Sequence, residues 1–107
     1  PMNAQIRETT DDGFLLEADQ WDETVAGQLA ERIPLTLTGA HWEIISFIRE
    51  YHARFRHLPN NRMFMKAVAK ALGPEKGNSK YLFLLFPEGP AKQATRLAGL
   101  PKPAKCL

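Results

Sequence analysis

The chain is cut into short pieces by its prolines and glycines. Pro34, Leu58-Pro59, Gly73-Pro74, Pro87-Glu88-Gly89-Pro90 and Gly99-Leu100-Pro101-Lys102-Pro103 recur along 107 residues. Proline inside a helix removes a hydrogen bond and clashes with the preceding turn, so no helix passes through these points. Between them the apolar residues repeat at three- and four-residue steps, the period of a helix with one buried face. A fold of several short helices around one modest core is therefore dictated before any single residue is considered.

The segments follow in order. Val25, Leu29 and Ile33 define a first helix, with Asp22 and Glu23 at its start, where the helix dipole favours acids, and Pro34 at its end. Thr38 is placed to cap a long helix running to about His57. Its Trp42, Ile45, Ile48, Tyr51, His52 and Phe55 predict the central core helix. Asn60 or Asn61 caps a third, Arg62 to Leu72, closed by Gly73-Pro74. Asn78 or Ser79 opens a very apolar fourth helix through Phe86, expected to be buried on nearly all sides. Pro90 suits the first residue of a fifth, ending near Ala98 before Gly99.

Ahead of the helices, Asp12-Gly13 lies between two short apolar runs, a hairpin signal. The expected fold is mainly α: a compact orthogonal helical bundle with a small N-terminal β-hairpin. As one domain over 1–107, it divides into a hairpin at 4–18, a helical body at 22–98 and an extended C-terminal arm at 99–107.

The arm holds the sole cysteine, Cys106, one residue from the end. Pro101 and Pro103 keep its backbone extended, so 99–106 spans at most roughly 25 Å. One cysteine closes no intramolecular disulfide. No apolar run reaches bilayer length and no secretory signal opens the chain, so a cytoplasmic protein is expected. Lys102 and Lys105 favour the thiolate, whereas the terminal carboxylate of Leu107 opposes it. His41, His52 and His57 are far upstream, and none is a sequence neighbour able to act as a fixed base. His52 and His57 are five apart and no CxxC set exists, so neither a metal nor a cofactor is expected.

Charge is unevenly spread. Residues 1–31 are strongly acidic with Arg7 alone opposing, while 32–79 and 80–107 are each basic. Arg62, Lys66 and Lys70 are spaced by four and share one helix face, opposite Met63, Ala67 and Ala71. Such a stripe is the solvated side of an amphipathic helix, or the phosphate-contacting side of a helix-turn-helix. It lacks the Asn and Gln residues that read bases. An acidic or RNA-adjacent partner, a DNA-binding regulator and a subunit that docks by its tail all remain open on these residues.

Several motifs together carry a resemblance. They are His41-Trp42-Glu43, Arg62-Met63, Gly77-Asn78-Ser79, Tyr81-Leu82, Leu85-Phe86-Pro87, Gly89-Pro90-Ala91-Lys92-Gln93-Ala94-Thr95, Gly99-Leu100-Pro101-Lys102-Pro103 and the penultimate Cys106. With them the whole chain resembles the DsrC/TusE family of sulfur-relay proteins. The resemblance implies a helix-turn-helix-like core, an N-terminal hairpin and a Cys106 that accepts sulfane sulfur as a persulfide. It also implies a TusBCD-type donor and a tRNA-thiolating acceptor, MnmA, which makes wobble 2-thiouridine, with tRNA nearby. Lys102, Lys105, Arg62 and Lys66 are the expected partner contacts. DsrC proteins that work with sulfite reductase carry a second cysteine where this chain has Thr95. The departure puts a sulfite-reductase role in doubt and points to the one-cysteine branch.

Overall fold

The computed structural model describes residues 9–10, 14–15, 20–33 and 35–101. Five helices follow in order: α1 (Glu23–Arg32), α2 (Gly39–Phe55), α3 (Asn61–Leu72), α4 (Ser79–Leu85) and α5 (Pro90–Leu97). Local chemistry sets their starts. The side chains of Asp22, Asn60 and Asn78 accept hydrogen bonds at 2.9 Å from the backbone N–H groups of Val25, Met63 and Tyr81, satisfying donors that a helix start leaves orphaned. Pro90 occupies the first turn of α5, where a missing N–H costs nothing. α2 stops at Phe55 because Arg56 turns left-handed at φ 63°. α1 ends with Ile33 as its C-cap; the expected breaker Pro34 lies outside the described residues.

The expected centre of the bundle is not the observed one. α5, only eight residues long, packs against each of the other four helices. Ala91, Ala94, Thr95 and Leu97 are fully buried within it. Its small residues let neighbours approach closely, so Ile44, Ile45 and Ile48 of α2, Phe64 and Val68 of α3, Leu29 of α1 and Leu82 of α4 join it in one core. Each such side chain contributes about 1.5–3 kcal/mol by leaving water. Phe55, expected in the core, is 51% exposed on α2.

Two further faces differ from expectation. α4 is not buried on all sides: Leu82 packs inward, whereas Leu84 is 74% exposed and Phe83 lies at the surface. A helix of seven residues set on the rim has only one face to offer the core. On α3 the buried pair is Phe64 and Val68, with Met63 and Ala71 at the surface.

Only part of the expected hairpin falls within the described residues, and no strand is present among them. What is there is an antiparallel bridge between Thr9 and Leu15. The Thr10 N–H donates to the Phe14 carbonyl at 2.7 Å, and the Phe14 N–H donates to Thr10 Oγ1 at 3.0 Å. Phe14 and Leu15 are buried against the helices, and Arg32 of α1 donates to Thr9 Oγ1 at 3.0 Å.

Candidate functional site

Cys106 follows α5 in the sequence, so the site is built from that helix terminus upward. The last four carbonyls of a helix have no intrahelical partner. Here each has another. The Leu100 N–H donates to the Thr95 carbonyl at 3.2 Å and the Gly99 N–H to that of Arg96 at 3.1 Å. With Gly99 at φ 71° this pair forms a Schellman turn. The remaining two carbonyls are taken by side chains from distant segments. Trp21 Nε1 donates to the Leu97 oxygen at 2.7 Å, and an Arg49 guanidinium nitrogen donates to the Ala98 oxygen at 2.5 Å.

Those two side chains also hold each other. The Arg49 guanidinium lies 4.0 Å from the centre of the Trp21 ring, a cation–π contact strengthened by partial desolvation. The same desolvation pulls the Arg49 pKa below its ordinary value, yet a guanidinium keeps its charge across the physiological range. Gly99 sits flat against the indole, and a Cβ there would overlap Trp21. Leu100 is 4% exposed, and Pro101 is at the surface. The chain is thus fixed through Leu100 and emerges at Pro101.

Neither Trp21 nor Arg49 was marked by the sequence reading. One signal was present: Arg49 follows Ile45 by four residues on α2, and a cation at core spacing calls for a buried acceptor. Nothing local pointed to Trp21, which is 76 residues from the carbonyl it caps.

Thr95 is completely buried. Its hydroxyl has no hydrogen-bond partner among the described residues, and neither has Arg96 Nε. Arg96 faces the Phe14 ring at 5.5 Å.

Of the expected site residues, Cys106, Lys102 and Lys105 lie outside the described residues. Arg62 and Lys66 are on α3 and exposed, as is Lys70 one turn further on. An open groove of about 1460 Å³ runs along α2, with Trp21 and Arg49 at its lining, an aromatic wall from Phe47 and Tyr51, and Lys70 of α3. His41 is 6% exposed and bridges α2 to α4: Nε2 donates to the Leu85 carbonyl at 2.8 Å while Nδ1 accepts from the Thr38 N–H at 3.1 Å. His57 stacks edge-on against Tyr51 at 5.6 Å. Among the described residues no three His, Cys, Asp or Glu side chains gather as metal ligands. No described helix is long and apolar enough to cross a membrane.

Comparison with known proteins bears on what this arm carries. A family model described as "DsrC like protein" matches residues 2–107. The sulfurtransferase TusE homolog of Haemophilus influenzae is 56% identical over 100 residues, spanning 94% of this chain and 92% of that one. Sulfurtransferase TusE of Escherichia coli is 50% identical over the same shares of the two chains. The solution structure of Allochromatium vinosum DsrC superposes with a TM-score of 0.84 at 50% identity, covering 92% of this chain and 88% of its own.

Proposed function

The chain belongs to the DsrC/TusE family, and on that footing we propose that it is a sulfurtransferase that carries persulfide sulfur on Cys106. The sulfurtransferases TusE are 50–56% identical to this chain, and the DsrC structure is 50% identical. The observation that carries the reading is a single cysteine at the penultimate position, with a buried Thr95 in place of a second thiol. With one thiol, the sulfur can only be received from one protein and delivered to another.

The step is a sulfur-centred exchange. The Cys106 thiolate attacks the outer sulfur of a donor cysteine persulfide. A new S–S bond forms, the donor's S–S bond breaks, and the donor cysteine leaves as a thiolate. The acceptor's thiolate then attacks the outer sulfur of the Cys106 persulfide in the same way and releases Cys106. No net oxidation occurs, and the rates follow the pKa values of attacking and leaving thiols. The donor is a TusBCD-type complex and the acceptor a tRNA-thiolating enzyme of the MnmA kind, serving wobble 2-thiouridine. Lys102 and Lys105 steer the arm toward acidic or RNA-adjacent surfaces. Arg62 and Lys66, exposed on α3, supply a second, body-borne contact of the same sign.

The helix-turn-helix-like reading of α2 and α3 fits this role as well as it fits a regulator, because the α3 stripe offers phosphate contacts without base-reading side chains. Loading with a persulfidated donor, followed by intact mass measurement, tests the carrier. One sulfur atom is added to the wild type and none to Cys106→Ser; equal labelling of both removes the reading.

A further inference from the structure

The α5 terminus is more heavily tied than a helix end requires. A Schellman turn alone satisfies two of its four orphan carbonyls and leaves two that water could serve. Instead they are bound by Trp21, from the segment before α1, and Arg49, from the middle of α2. The two stack on one another, and Gly99 is pressed against the indole with no room for a Cβ. Removing either partner frees a carbonyl and loosens the other partner's seat.

We propose that Trp21 and Arg49 are positioning residues that clamp the end of α5 through Leu100, so that the reach of Cys106 is counted from Leu100 and no earlier. The proposal rests on the carrier reading of Cys106 and adds what governs its delivery. From Leu100 to Cys106 the chain spans at most roughly 21 Å, whereas from Leu97, with the clamp open, it would span roughly 31 Å. With the length counted from the root rising from six residues to nine, the effective concentration of the thiol at a partner docked on the body falls about twofold, as the −3/2 power of length. A clamp of this kind leaves the intrinsic chemistry of the thiol untouched, because neither side chain is asked to contact it.

The test uses the sole cysteine as the attachment point for a nitroxide and reads paramagnetic broadening of backbone amides across the body. Wild type gives a bounded footprint. Arg49→Met and Trp21→Phe give a wider and weaker one, and Arg49→Lys, which keeps a cation and a donor, restores the wild-type pattern. In parallel, the second-order rate of sulfur transfer from a protein donor drops about twofold in the first two variants. Reaction of Cys106 with inorganic polysulfide stays at the wild-type rate. Trp21→Phe retains the ring and its packing, so it serves if Arg49→Met does not fold. An unchanged footprint in a folded variant overturns the clamp. So does a rate loss shared by polysulfide, which would mean altered thiol chemistry. A wild type that never loads from any persulfide donor removes the carrier reading while the footprint still judges the clamp.

Discussion

Replacing Thr95 by valine should stabilise the protein, although the residue lies in the helix that carries the arm. The side chain is completely buried, and its hydroxyl finds no partner among the described residues. A hydroxyl taken out of water without a replacement bond costs about 1–3 kcal/mol by mutational measures. Valine fills the same volume with a methyl group and has the same helix propensity as threonine, so the gain should be about 1–2 kcal/mol. At this chain length each kcal/mol moves the melting temperature by about 4–8 °C. Urea denaturation gives the cleaner measure, a raised midpoint with an unchanged slope. Thr95→Ser is the counter-experiment: it keeps the hydroxyl and loses a buried methyl, which costs about 1 kcal/mol. Sulfur loading on Cys106 should survive both changes. A Thr95→Val protein no more stable than wild type would refute the reasoning, since the hydroxyl would then have a partner whose loss offsets the desolvation term.

Other substitutions test other contacts. His41→Ala removes the bridge between α2 and α4 and strands the Leu85 carbonyl and Thr38 N–H, so thermal denaturation should show a loss of about 2–4 kcal/mol. Leu84→Lys, on the exposed face of α4, should change stability by less than about 0.5 kcal/mol. Leu82→Ala in the same helix should cost about 2–5 kcal/mol. The double variant Arg62→Ala, Lys66→Ala should fold as wild type, since both side chains are exposed. If Arg62 and Lys66 make the proposed partner contact, it should bind an acidic or RNA-bearing partner more weakly at low salt, with the difference shrinking as ionic strength rises.

The boundaries of the fold were legible because caps and breakers act locally. Asn60, Asn78, Pro90 and Gly99 each work through neighbours within a few residues; the sequence placed Pro90 and Gly99 outright and narrowed the other two caps to Asn60 or Asn61 and Asn78 or Ser79. The centre was not legible. Hydrophobic patterning weighs bulky side chains, which favoured α2 with its isoleucines and aromatics. The helix that every other helix touches is built instead of Ala91, Gln93, Ala94, Thr95 and Arg96, residues buried because they are small or because they lie where packing is closed. The same blindness concealed the arm's anchorage. A tryptophan 76 positions away from its acceptor and an arginine 49 away leave no periodic trace; only the tertiary structure brings them together. The exposed α3 stripe, by contrast, was readable at once, since a spacing of four puts charges on one side whatever they face.

A helix of eight residues is too short to persist alone in water, so α5 is helical because four neighbours hold it. That dependence has a consequence for how the arm can work. Were the last turn of α5 frayed, the reach of the residues beyond it would lengthen and shorten as the turn opened and closed. Here the last turn has every carbonyl bound, two of them by side chains rooted before α1 and within α2. Opening it would break contacts with several elements together, at a cost set by the body and not by the arm. The point from which the reach of Cys106 is counted is therefore defined by tertiary packing, which is what the proposed transfer of sulfur by that thiol calls for.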